Sequence, residues 1–80
     1  MVDWRMYIIS DKSILMGKPV IKDTRLSVEF LLERLANGWS EKQLLENYPR
    51  LSPEALQALF AYTYECMRDG LLFSNRLKSA

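Results

Sequence analysis

Three serines, Ser27, Ser40 and Ser52, each stand immediately before a run of helix-forming residues, and each run is closed by a residue that cannot continue it. Ser27 precedes Val28 to Asn37, and Gly38 follows as the residue best able to take a left-handed backbone. Ser40-Glu41-Lys42-Gln43 is a capping box, in which the serine caps the first turn and Gln43 reaches back to the serine N–H. The run that follows is short, because Pro49 cannot continue the helix and disfavours helical geometry in Tyr48. Ser52-Pro53-Glu54 sets a cap, a proline at the first helical position and an acid at the positive end of the dipole. This third helix runs to Asp69 and ends at Gly70. A chain of 80 residues holding three such helices has room for one core, so a single domain is expected over 1–80.

The residues before the helices read differently. Trp4 to Ile9 is rich in aromatic and β-branched side chains and is followed by the polar turn Ser10-Asp11-Lys12-Ser13, which predicts a short strand. Two turn signals, Gly17-Lys18-Pro19 and Lys22-Asp23-Thr24-Arg25, enclose Val20-Ile21, an extended piece able to pair with it. The organisation expected is an arm of strand and loop over 1–26, a trihelical core over 27–70 and a tail over 71–80. The fold class is mainly α, a helix-turn-helix-like cluster with a short N-terminal β element.

The missing residue types restrict the chemistry. Histidine is absent and Cys66 is the only cysteine. A Cys/His zinc site, a Cys-His or Ser-His catalytic pair and a disulfide within the chain are therefore excluded, and no cofactor is expected. Glu29 with Glu33, and Glu41 with Glu46, read as solvated helix faces rather than acid–base couples. No apolar run is long enough to cross a bilayer, and the opening Met-Val-Asp-Trp-Arg does not resemble a signal peptide, so a cytoplasmic location with no membrane association is expected.

Charge is distributed unevenly. Residues 1–26 are net basic through Arg5, Lys12, Lys18, Lys22 and Arg25, whereas 27–70 carry seven acids against four bases. Affinity for DNA rests on lysine and arginine neutralising phosphates, so an acidic helical body argues against lying flat on a duplex. At the start of the third helix Gln57 is the one standard base reader among Pro53, Glu54, Ala55, Gln57, Ala58 and Ala61. Lys18, Lys22, Arg25 and Gln57 are the candidate nucleic-acid contacts, and promoter DNA the candidate ligand.

The third helix carries more apolar surface than one core face uses. Leu56, Leu59, Phe60, Thr63 and Met67 are the expected inward stripe, and Ala55, Ala58, Tyr62, Tyr64 and Cys66 extend the apolar surface beyond it. A small domain has too little chain to cover every face, so a homodimer or another protein partner is expected. Ala58, Tyr62, Glu65, Leu71, Leu72, Phe73 and Arg76 are the candidate partner-binding residues. The plain alternative is that Trp4, the N-terminal strand and residues 71–73 fold back over the helix.

The run from Ile14 to Val28, with Gly17-Lys18-Pro19 and Asp23-Thr24-Arg25, then Leu35-Ala36-Asn37-Gly38-Trp39-Ser40, then Tyr48-Pro49-Arg50-Leu51-Ser52-Pro53-Glu54, resembles the domain-of-unknown-function family 433 (DUF433). The resemblance covers residues 4–67. Asp23 stands where that family usually has glycine. The resemblance implies a homeodomain-like trihelical fold and a VapB-type antitoxin role, paired with a PIN-type ribonuclease toxin. It also implies that Arg76 could reach the acidic metal site of such a nuclease. The motif arginine Arg25, a DNA contact on the charge reading, has a structural alternative, pinning the loop before the first helix. The function expected is a non-enzymatic interaction module of antitoxin type; the alternative is a helix-turn-helix transcriptional regulator.

Overall fold

The computed structural model describes residues 1–70. Its β part is smaller than the sequence suggests: strands β1 (Ile8–Ile9) and β2 (Val20–Ile21) pair antiparallel, with Ile8 opposite Ile21 and Ile9 opposite Val20. Trp4–Met6 is not strand but a single 3-10 turn. Asp3 causes the difference, since its side chain caps the turn by accepting from the Arg5 N–H at 3.1 Å while its carbonyl accepts from Met6. Capping by aspartate offers the backbone a local alternative to the ladder.

Beyond β1 the chain makes a left-handed turn in which Leu15, Met16 and Gly17 have φ of 48°, 58° and 88°. After β2 it reverses over Ile21 to Thr24, with the Thr24 N–H and hydroxyl both donating to the Ile21 carbonyl. Asp23 has φ 64° there, so the position does require the left-handed backbone that glycine would supply more cheaply. The Thr24 hydroxyl also accepts from the Leu26 N–H at 3.0 Å, which turns the chain toward the helices.

All three helices begin at their serine caps. Helix α1 (Val28–Ala36) starts with Ser27 accepting from the Phe30 N–H. It stops in a Schellman motif, where Gly38 at φ 96° donates to the Leu35 carbonyl and Trp39 to that of Arg34. Helix α2 (Glu41–Asn47) has both halves of the capping box, at 3.1 Å and 2.8 Å. Helix α3 (Pro53–Arg68) is capped by Ser52 and closed past Asp69 by Gly70.

Leu31 from α1, Leu44 from α2, and Leu56 and Leu59 from α3 are fully buried, and Ile8, Val20, Ile21 and Leu51 complete the centre. Ala55, Ala58 and Ala61 of α3 are also buried. Ala58 and Ala61 share a flank of the helix with Tyr62 and Glu65. Their small side chains let the N-terminal segment lie along it: the Trp4 ring meets Tyr62 edge-on at 4.8 Å, and its Nε1–H donates to Glu65 Oε2 at 3.0 Å.

Candidate functional site

The candidate residues fall in two places. The first surrounds Arg25, at the end of the turn that Asp23 makes possible. Arg25 borders three adjoining grooves: one between Thr24–Leu26 and the Asn47–Arg50 loop, one toward Leu15, Lys18 and Phe30, and one toward Ile9, Ile14 and Asp23. Lys18, Thr24-Arg25 and Tyr48-Pro49-Arg50, which are far apart in sequence, therefore meet around one guanidinium.

Within that cluster the roles differ from expectation. Arg50, not Arg25, pins the loop, donating from Nη1 to the Asp23 carbonyl at 3.1 Å. A guanidinium on that carbonyl holds the left-handed turn without a glycine. Among the described residues the Arg25 side chain has no hydrogen-bond or ion-pair partner, and it is exposed. Lys18 is paired with Glu29 at 3.0 Å on the surface. Lys22 is exposed beyond β2, and Gln57 lies on the outer face of α3; neither lines these three grooves.

An aromatic cluster backs the first groove. Tyr48 meets Phe30 edge-on at 5.7 Å and stacks on Trp39 at 6.4 Å. The Arg34 guanidinium lies over Phe30 at 4.6 Å and Trp39 at 5.4 Å. Its Nε is buried and has no hydrogen-bond partner among the described residues. The ring faces offset part of that cost by cation–π attraction, so Arg34 ties α1 to the start of α2 through Trp39 rather than facing a ligand.

The second place is α3, and here the expected faces are corrected. Phe60 and Met67, expected inside, are 42% and 55% exposed, and Tyr64 is 53% exposed. With Gln57 they form the outer stripe. Ala58, expected to meet a partner, is fully buried, because it faces the core beneath the N-terminal segment. Tyr62 and Glu65 are half-buried under the same segment. Glu65 accepts from Trp4 and also from Arg5 Nη2 at 3.3 Å, with Arg68 at 3.7 Å on its other oxygen. Trp4 thus covers one flank of α3, as the fold-back alternative has it, and among the described residues nothing covers the outer stripe. Leu71, Leu72, Phe73 and Arg76 lie outside the described residues.

The signal for the true faces was in the alanines. Positions 55, 58 and 61 count weakly in hydropathy, so the larger Phe60 and Met67 dominate the apolar pattern although they lie outside. Burial raises the Tyr62 phenol above its ordinary pKa of 10.0, and the neighbouring Cys66 thiol adds to the shift. The Asp11 carboxyl is lowered by the Ser13 N–H and hydroxyl that it accepts, an exposed turn rather than a site. Among the described residues there is no group of three or more acidic, cysteine or histidine side chains able to hold a metal, and no helix long and apolar enough to cross a membrane.

A sequence profile described as a protein of unknown function, DUF433, matches residues 8–63. The crystal structure of a DUF433 member protein from Anabaena variabilis ATCC 29413 is similar at 31% sequence identity and a TM-score of 0.72. The alignment covers 78% of this chain and 61% of that one, so the chain spans less than two thirds of its relative's length. No curated protein matches the chain.

Proposed function

The chain belongs to the DUF433 family, and from that premise and the open face of α3 we propose that it is a non-enzymatic protein-interaction module, the antitoxin of a pair whose toxin is a PIN-type ribonuclease. The observation that carries the reading is the stripe of Phe60, Tyr64 and Met67 on the longest helix. Three large apolar side chains aligned on one face of a small domain are the pattern of a docking surface. An antitoxin must offer such a surface. Leu71, Leu72, Phe73 and Arg76, which follow α3 directly in sequence, are the residues assigned to the nuclease, with Arg76 directed at its acidic metal site. The test is an RNA-cleavage assay with a PIN-type nuclease encoded beside this chain. The wild-type chain is expected to inhibit at equimolar ratio and Arg76→Ala to lose at least ten-fold; a wild-type chain that binds no such nuclease overturns the antitoxin role.

A second reading is favoured by one observation. Arg25 and Arg50 line the same groove without a carboxylate partner among the described residues, with Lys18 next to Arg25. On this reading the three helices form a homeodomain-like cluster that contacts the phosphates of promoter DNA through Arg25. The acidic Glu54 beside Gln57 at the start of α3 opposes it. The discriminating measurement is retention of duplex DNA against salt: removing one phosphate contact by Arg25→Ala lowers the slope of log affinity on log salt by about one.

A further inference from the structure

The outer face of α3 is spaced for a helix, and its charges are placed for a copy of itself. Outward positions recur at Pro53, Gln57, Phe60, Tyr64 and Met67, in alternating steps of four and three. That is the 3.5-residue seam of two helices packed side by side, narrower than the face α3 turns to its own core. Two charges flank the seam on the same side, Glu54 in the first turn and Arg68 in the last, two heptads apart.

Laying two copies of α3 antiparallel with Phe60 of one opposite Tyr64 of the other fixes everything else. Gln57 then faces Met67 of the other copy, and Glu54 of each helix lies beside Arg68 of the other, twice across the two-fold axis. A parallel pair leaves the two Glu54 side chains, and the two Arg68 side chains, on opposite sides of the seam, so neither charge meets the other. Within its own chain Arg68 reaches Glu65 at 3.7 Å and Asp69 at 3.3 Å, exposed contacts that are readily exchanged for one with Glu54.

We propose that a second copy of this chain covers the outer face of α3, in an antiparallel helix pair whose centre is Phe60 against Tyr64 and whose register is set by Glu54 and Arg68. The proposal rests on reading α3 as an interaction surface and names its occupant. It leaves residues 71–76 of each copy for another partner.

The test is sedimentation velocity on the full chain across a concentration series. A reversible dimer is expected, dissociating at about 1 to 100 μM because one helix pair covers less area than a standard interface. Tyr64→Glu should weaken it at least ten-fold while the circular-dichroism melt of the monomer stays unchanged. Glu54→Arg and Arg68→Glu should each weaken it, and the double substitution should restore it. A chain that is monomeric at every concentration overturns the proposal; Met67 protected from peroxide in that monomer would give the face to residues 71–80 of the same chain. A dimer indifferent to Tyr64→Glu also overturns it, and failure of the double substitution to rescue overturns the antiparallel register. A monomer that still inhibits a nuclease removes the second copy and keeps the interaction module, whereas a dimer that inhibits none does the reverse.

Discussion

Asp23 holds a φ of 64°, a conformation that costs an L-residue about 1–2 kcal/mol and glycine almost nothing. Glycine gives part of that back through the freer unfolded chain, so Asp23→Gly is expected to stabilise by about 0.5–1 kcal/mol. Asp23→Val, β-branched at a positive φ, should destabilise by roughly 2 kcal/mol, both read as shifts in the midpoint of urea unfolding. Arg50 is the residue that makes aspartate tolerable there, through its bond to the Asp23 carbonyl. The resemblance points to the unusual turn at Asp23, but pinning is expected only of Arg25, as the alternative to DNA contact, because nothing in the spacing of residues 23 and 50 says that their loops meet. Tyr62 gives a pH dependence at the same scale. Its proton is held more tightly in the fold than in the unfolded chain, so stability from this group is complete below pH 10 and falls as pH rises through the higher folded value. Tyr62→Phe should flatten that alkaline decline, as followed by chemical denaturation at stepped pH.

Among the elements, α2 depends most on its ends. It has seven residues, too few to persist by propensity alone, and both halves of its capping box are made. Ser40→Ala is expected to cost about 1 kcal/mol and to speed amide exchange in Glu41 to Asn47 ahead of the other helices. Helix ends were the most legible part of this chain, because serine, proline and glycine act on the nearest turn and require no knowledge of what packs against it. Faces were less legible. On α3 the inward side is Leu56 and Leu59, as expected, joined by Ala55, Ala58 and Ala61; that Ala58 and Ala61 lie under the N-terminal segment is a long-range fact that a hydropathy pattern cannot carry. Trp4–Met6 failed as a strand for a related reason: the Asp3 cap and the bond from Trp4 to Glu65 outweigh the β preference of its side chains.

For the molecule as a whole, the core rests on few large side chains. Leu31, Leu44, Leu56 and Leu59 are fully buried, and truncating one, as in Leu59→Ala, should cost about 2–5 kcal/mol. Small domains have about 5–15 kcal/mol in total, so that variant should lose much of its thermal transition, whereas Met16→Ala, at a side chain 94% exposed, should leave it in place. Which surfaces the turns bring together around Arg25 could be recognised from the sequence only as separate motifs, since their convergence is a property of the packed chain. The same is true of the N-terminal segment, and it has a consequence for synthesis. Trp4 and Arg5 leave the ribosome ahead of α1, α2 and α3, yet their partners are Tyr62 and Glu65, toward the C-terminal end of α3. The Trp4 indole has no native partner until nearly all of α3 has been made, so the N-terminal segment docks late, after the helix it lies on.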